Sequence, residues 1–207
     1  MTSLQSLVPF IAAAVLAAPS IGSAQNVGAE NLKGKRIAIL ATDGFEESEL
    51  FEPKKALEAA GAQTEVVSPT EGKIKAWDHD HWSKELPVDT LVSNADAAKF
   101  DGLLLPGGVM NPDKLRMDPA SVKFVRDFVS ASKPIAAICH GPWTLLEAGG
   151  VKGKKLTSWP SLQTDIKNAG GDWVDKEVVK DGKLVTSRKP ADLPAFIREA
   201  NQAFQQG

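Results

Sequence analysis

The sequence predicts an α/β sandwich, in which helices cover both faces of a mostly parallel β-sheet. Short, nearly all-apolar segments alternate along the chain with segments of helical periodicity, and no internal repeat is present. The chain has 207 residues, of which 43% are hydrophobic and 24% charged. That composition is typical of one globular domain with a sizeable core.

Four apolar segments, each closed by turn-forming residues, are predicted to be buried strands. They are "KRIAIL" (35–40), "QTEVVSP" (63–69), the first part of "FDGLLLPGG" (100–108) and "KPIAAI" (133–138). Because ligands gather beyond the carboxyl ends of strands in such folds, the loops 41–49, 106–113 and 139–143 predict a site at that edge.

The first helix is predicted within 45–61, with Gly61 as its stop and Pro53 as a kink or restart. A β-hairpin is predicted to turn on Asp181-Gly182. Residues 70–99 are ambiguous, with strand-like pieces at 73–77 and 87–91 around a polar stretch. The remaining helices are predicted in 118–132, 141–150, 161–171 and 190–204.

The first 29 residues contain no charged side chain, and an apolar run from Leu7 to Ala18 precedes the small residues of "GSA". This pattern predicts a secretory signal peptide over 1–24, a short lead-in over 25–34 and the folded domain over 35–207. We therefore expect a secreted or periplasmic protein. The alternatives are an uncleaved anchor and, with a misassigned start, a cytoplasmic protein.

The formal net charge is −2, and basic residues are scattered rather than clustered. This distribution does not favour a nucleic-acid partner. We also expect no cofactor and no stable membrane association.

Cys139 is the single cysteine, and it stands where an apolar strand gives way to Gly141-Pro142. A side chain on such a strand-to-helix turn is held in the open, as in a nucleophile elbow, and a helix N-terminus is expected to lower the thiol pKa. The alternative is a small hydrophobic residue buried at a strand end. The adjacent His140 favours the functional interpretation.

No histidine follows His140, so the papain-like and glutamine amidotransferase mechanisms, which take their base from farther downstream, are not supported. His140 is then the candidate base, and Glu49 and Asp113 are the candidate carboxylates at the same edge. Each acid also has a structural alternative: Glu49 as a first-turn glutamate that interacts with the helix dipole, and Asp113 as a turn or helix-cap residue. Gly107 and Gly108 permit a tight turn with N–H groups aimed at an oxyanion.

The stretch "WDHDHW" (77–82) contains His79 and His81 between aspartates. Such residues can hold zinc, but the spacing of the sequence does not indicate a third strong ligand. We therefore favour an aromatic-rimmed loop beside the site over a metal centre.

Three motifs, "ATDGFEESEL", "LLLPGG" and "AICHGPW", occur in this order. In their order and spacing they resemble the ThiJ/PfpI family, in its PfpI-like intracellular protease and general-stress branch, over about residues 35–206. The resemblance implies a flavodoxin-like sandwich of the class I glutamine amidotransferase-like type.

The resemblance also implies roles for individual residues. Cys139 is the nucleophile, Glu49 hydrogen-bonds the thiol, and His140 is the base, oriented by Asp113 from a neighbouring subunit of a homodimer or larger ring. Gly108 and the His140 N–H form the oxyanion hole. Trp143 and Gly107 are expected at the substrate rim.

The activities that the resemblance implies are peptidase, deglycase and glyoxalase, which share thiolate addition to a carbonyl or acyl group, in a stress-protection role. The alternative function is a non-catalytic oxidative-stress sensor or chaperone based on the same thiol.

Overall fold

A computed structural model describes residues 1–2 and 31–207. Apart from its first two residues, the predicted leader over 1–24 lies outside the described residues. Within the described residues, no helix is both long enough and apolar enough to cross a membrane.

The centre of the fold is a seven-stranded sheet in the order β11-β12-β8-β7-β1-β3-β6. All neighbouring strands are parallel except β11 and β12, which form the predicted hairpin. The predicted α/β class with a mostly parallel sheet is therefore confirmed. The strands are β1 Arg36–Leu40, β3 Gln63–Ser68, β6 Thr90–Leu91, β7 Gly102–Leu105, β8 Ile135–Ile138, β11 Val178–Asp181 and β12 Leu184–Ser187.

Alternate residues of each central strand face two separate cores. In β1, Ile37 and Ile39 face the core under one helical layer, whereas Ala38 and Leu40 face the other. The first layer consists of α1 Glu47–Ala59 and α6 Leu193–Gln205, and the second contains α2 Met110–Met117, α3 Pro119–Ser130, α4 Pro142–Glu147 and α5 Gln163–Asn168. Burial on both faces explains why these strands are apolar throughout rather than alternating.

Helix α1 runs unbroken through Pro53, so the helix does not restart there. The proline removes one backbone hydrogen bond, while Leu50, Pro53 and Leu57 form a buried face that holds the helix on the sheet. The short helix α2 was not predicted, because "MNPDKLRM" is mostly polar and lacks a clear apolar stripe.

The polar stretch within 70–99, which the sequence left ambiguous, contributes a strand of its own. Strands β4 Lys73–Asp78 and β5 His81–Pro87 form an antiparallel hairpin, which joins β2 Phe45–Glu46 in a three-stranded sheet. Most residues of β5 are exposed, so hydrophobic alternation does not mark it. A short parallel pair, β9 Lys155–Leu156 and β10 Asp172–Trp173, completes the strands.

The strand order reverses between β1 and β7. From β1 the chain moves to β3 and β6 on one side, and then to β7 on the other. In open α/β sheets the crevice at such a reversal, beyond the carboxyl ends of the strands, is the usual ligand site. The loops after β1, β7 and β8 meet at this edge.

Substitution of Phe204 tests the packing of the core beneath α6. Its ring is fully buried, and it packs so closely on β7 that a Cβ at Gly102 would lie 2.3 Å from the ring. Phe204→Ala should lower the free energy of unfolding by about 3–5 kcal/mol in urea denaturation. Met117→Ala, at a side chain that is 71% exposed, should change it by less than about 0.5 kcal/mol. Equal losses in both variants would contradict this description of the core.

Candidate active site

Cys139 follows β8 directly and has a left-handed backbone, with φ of 60°. A residue other than glycine pays about 1–2 kcal/mol for this conformation. The turn is fixed on both sides: the Cys139 N–H donates to Ser187 O at 3.1 Å, and the Trp159 N–H donates to Cys139 O at 2.9 Å. Neighbouring backbone therefore holds the thiol in a strained turn of the kind found at functional sites.

Glu49, in the first turn of α1, is fully buried beside this turn. Its Oε2 accepts a hydrogen bond from the Gly107 N–H at 3.0 Å. Its Oε1 is buried with no hydrogen-bond partner among the described residues. Burial, followed by the nearby charge of Glu46, raises the pKa of Glu49 to about 8. The carboxyl is therefore protonated at neutral pH and has a proton to donate.

Gly107 and Gly108 allow the loop after β7 to approach this pair. A Cβ at Gly107 would lie 2.3 Å from Glu49 Oε2 and 2.6 Å from Cys139 Cβ. Gly108 has a φ of 78°, and a Cβ there would lie 2.4 Å from Gly44 O. Gly107 is buried and donates its N–H to this carboxyl, and its expected place at the substrate rim stays a prediction.

The expected lowering of the thiol pKa is wrong. Burial raises the pKa of Cys139 well above its usual value, and an ionised Glu49 raises it further. The backbone N–H groups of Gly108 and His140 act in the opposite direction. The residues predicted for the oxyanion hole therefore direct donors at the sulfur, and a thiolate and an ionised Glu49 disfavour each other.

His140 lies beside the thiol, with its Nδ1 3.2 Å from Cys139 Sγ. Its Nε2 lies 3.3 Å from the Oγ of Ser161. The side chain is mostly buried, and burial lowers the pKa of His140 to about 4. The imidazole is therefore neutral at pH 7, with one nitrogen free to accept a proton.

Two tryptophans contact the imidazole. Trp159 stacks on it with ring centroids 5.9 Å apart, and Trp143 packs against it at 5.2 Å. The Trp143 Nε1–H donates to Asp165 Oδ2 at 2.9 Å, which fixes the indole. Trp143 is thus adjacent to the thiol–imidazole pair, as a residue of the substrate rim would be.

Asp113 makes no hydrogen bond to His140 within one chain. It lies in the first turn of α2, where its side chain is exposed and makes no hydrogen bond among the described residues. Its expected role from a neighbouring subunit stays a prediction.

Two contributors to the site were missed in the sequence. Buried Asn111 joins the loops after β1 and β7: its Oδ1 accepts from the Thr42 N–H at 2.8 Å, and its Nδ2 donates to Pro106 O at 2.9 Å and to Gly107 O at 3.1 Å. Ser161 is the other. Nothing in "NPD" or "WPS" distinguishes these side chains from ordinary turn residues.

His79 and His81 lie at the tip of the β4–β5 hairpin. Each Nδ1 hydrogen-bonds the aspartate that precedes it, at 2.5 Å for Asp78 and 3.0 Å for Asp80. Trp77 and Trp82 pack edge to face across the hairpin, with ring centroids 5.2 Å apart. The described part of the chain contains no group of three or more acidic, histidine or cysteine side chains placed to hold a metal ion.

A cavity of about 290 Å³ lies at the opposite edge of the sheet, against Ile135 and Leu184 at the starts of β8 and β12. Cys139 follows the other end of β8, so this cavity is separate from the thiol. Cys139 itself is 6% exposed.

The raised pKa of Glu49 predicts a pH-dependent stability. Because the folded protein holds this proton more tightly than the unfolded chain, the contribution of Glu49 to stability is fully present below about pH 4.5 and is lost as pH rises through about 8. Between pH 5.5 and pH 8, wild type should therefore lose on the order of 2–4 kcal/mol of unfolding free energy relative to Glu49→Gln, which keeps a neutral side chain. Urea denaturation at both pH values measures this difference, and parallel curves would show that Glu49 is ionised throughout.

Comparison with known proteins agrees with this geometry. The chain is 44% identical over 169 residues to general stress protein 18 of Bacillus subtilis, covering 81% of this chain and 96% of that protein. It is 45% identical over 167 residues to protein/nucleic acid deglycase 2 of Escherichia coli, covering 80% of this chain and 95% of that protein.

Among solved structures, the chain is similar to a two-domain protein from Anabaena variabilis that contains DJ-1/ThiJ/PfpI-like and ferritin-like domains. The match has a TM-score of 0.77 at 35% identity and covers 81% of this chain. This chain spans about half of that protein, 47% of its length. Residues 35–203 match the DJ-1/PfpI family. The chain therefore belongs to the DJ-1/PfpI family.

Proposed function

We propose that the chain is a cysteine-dependent hydrolase or lyase that acts on small reactive carbonyl compounds and on their adducts with amines. The observation that carries the proposal is the contact between the Cys139 thiol, at the strained turn, and His140 Nδ1 at 3.2 Å, with the buried carboxyl of Glu49 beside them. A nucleophile, a base and an acid thus meet at one point.

The first step follows from these positions. The sulfur of Cys139 adds to the carbonyl carbon, and the electron pair of the C=O bond moves to oxygen. The thiol proton passes to Nδ1 of His140, which then delivers it to the new alkoxide. The backbone N–H groups of Gly108 and His140, which act to lower the pKa of the Cys139 thiol, are suited to stabilise that alkoxide.

Glu49 assists this step as a neutral acid. Its O–H can donate a hydrogen bond to the sulfur as negative charge develops there and keeps its own proton, whereas an ionised carboxylate would repel that charge. The pKa of about 8 keeps the acid form dominant at neutral pH. Activity should accordingly decline as Glu49 ionises on the alkaline side.

The size of the site favours small substrates over extended peptides. Cys139 is 6% exposed, and two tryptophan rings pack against the imidazole beside it. The deglycase name of a relative with 45% identity supports carbonyl–amine adducts as the substrate class. The name of the general stress protein supports a role in stress protection.

A sensor role is less well supported. Peroxide sensing favours an exposed cysteine of low pKa, whereas Cys139 is buried and its thiol pKa is raised by that burial. We retain the catalytic role as the proposal, with assembly into a homo-oligomer as an expectation of the family resemblance.

Cys139→Ala should abolish turnover while leaving the unfolding free energy within about 1 kcal/mol of wild type, because the thiol supplies the bond to substrate and little of the core. Lactate release should be measured from methylglyoxal alone and from methylglyoxal pre-reacted with N-acetylarginine, beside cleavage of a fluorogenic peptide. The matched control is Met117→Ala, which alters an exposed side chain on the unrelated end of α2.

The pre-reacted mixture still contains some free methylglyoxal. If lactate is released from this mixture faster than that free methylglyoxal alone would give, the enzyme hydrolyses the adduct. Release that follows free methylglyoxal would identify the simple carbonyl as the substrate. Turnover that persists in Cys139→Ala, or cleavage of the peptide alone, would contradict the proposal.

A further inference from the structure

The cavity of about 290 Å³ at the starts of β8 and β12 has a largely aliphatic lining. Ile135 and Leu184 are neighbours in the register of these two parallel strands, and both are buried. Leu145 of α4 and Val129 of α3 add to the lining from the helical layer on this face of the sheet. The volume lies at the lower end of the range of about 300–1,000 Å³ that is typical of small-molecule sites. The cavity therefore suits a small, mostly apolar ligand.

Gly150 lies where α3 and α4 approach each other beside this cavity. A Cβ at this position would lie 2.3 Å from Leu145 Cδ1 and 2.9 Å from Val129 Cγ2. Both distances are well below the contact distance of two carbon atoms, about 3.5–4.0 Å. Any larger residue would therefore collide with two apolar side chains of the lining, and the glycine leaves them in place around the open space.

The polar part of the lining is basic. It contains three lysines and Ser132, and no acidic residue is part of it among the described residues. Lys133 already has partners, because its Nζ donates to three carbonyl oxygens within residues 97–100 at 2.6–3.2 Å. Lys154 Nζ lies 3.6 Å from Asp181 Oδ1, so its charge is partly balanced.

The third lysine of the lining, Lys183, has no such partner. It follows the turn of the β11–β12 hairpin and is exposed. Its backbone O accepts from the Ile135 N–H at 3.0 Å, which fixes the start of the side chain beside the aliphatic lining. Among the described residues, its ammonium group makes no hydrogen bond and no ion pair. An exposed lysine without a partner is ordinary by itself, but here it stands at the edge of an apolar cavity with two further cations.

We propose that this cavity binds a small organic anion made of one carboxylate and a short aliphatic chain, the chemistry of a medium-chain fatty acid. The chain would replace water against the aliphatic lining, which contains no aromatic ring to stack on a cyclic ligand. The carboxylate would pair with Lys183 at the edge, where one unpaired cation matches one negative charge. Apolar burial would supply most of the affinity, and the lysines would select anions over neutral and cationic amphiphiles.

The inference does not depend on the proposed function. Cys139 follows the opposite end of β8, so the two sites lie at opposite edges of the sheet. Binding is therefore measured without any substrate of the thiol.

Octanoate is the probe, and its binding to the full chain is followed in ¹H–¹⁵N NMR spectra. It should shift the amide signals of Gly150, Lys183 and Leu184 with a Kd of about 0.1–1 mM. Hexanoate should bind about tenfold more weakly, because two fewer CH₂ groups are buried. Neutral 1-octanol should bind more weakly than octanoate, and octylammonium should leave these signals unchanged because the lysines repel it.

Lys183→Met tests the role of the charge while keeping an apolar side chain of similar length. It should weaken octanoate binding about fivefold and leave the binding of 1-octanol unchanged. Lys180→Met is the matched control, because Lys180 is an exposed lysine of the same hairpin that is not part of the lining. Both variants remove one positive charge, so only an effect confined to Lys183→Met reports on the cavity.

The inference is wrong if octanoate at about 10 mM, tenfold above the highest expected Kd, shifts none of the three amide signals. It is also wrong if Lys183→Met and Lys180→Met weaken octanoate binding equally. Sedimentation velocity of wild type and both variants tests the other occupant, a second copy of the chain. A smaller assembly in Lys183→Met alone, with no octanoate binding to wild type, would identify a contact between copies and would overturn the proposal.

Discussion

The site depends on the burial of one carboxyl group against one thiol. Glu49 has no exposed surface, and only one of its two oxygens has a hydrogen-bond partner among the described residues. An ionised carboxylate in that position would be strongly disfavoured, so the acid keeps its proton at neutral pH. Cys139 can then acquire negative charge beside a donor rather than beside a second anion. The absence of a side chain at Gly107 makes this proximity possible.

The architecture explains how distant parts of the chain reach this point. Glu49 comes from the helix after β1, the glycines from the loop after β7 and Cys139 from the turn after β8, three adjacent strands in the sheet. Asn111 ties the first two loops together through three hydrogen bonds to backbone groups. A rigid parallel sheet thus supplies the alignment, and the strained residue at position 139 supplies the direction of the thiol.

The sequence predicted the parallel strands and the three loops because doubly buried strands are apolar throughout, and glycine marks the turns that follow them. It failed for β5, whose residues are mostly exposed and therefore carry no hydrophobic period. The predicted direction of the thiol pKa was wrong, because a helix N-terminus can be recognised locally, whereas burial of the thiol and the charge of Glu49, 90 positions away, depend on packing. Asn111 and Ser161 were missed for the same reason, since their partners are identified only by the folded backbone and the neighbouring imidazole.

The central claim is that Glu49 is a neutral acid in the folded protein at pH 7. The most direct test is to follow the ¹³C chemical shift of its side-chain carboxyl by NMR from pH 4 to pH 10, with assignment through Glu49→Gln. The account predicts a midpoint near pH 8. A midpoint near 4.5, the ordinary value for glutamic acid, would mean that the carboxylate is ionised beside Cys139, and the proposed role of Glu49 as a hydrogen-bond donor to the sulfur would be wrong.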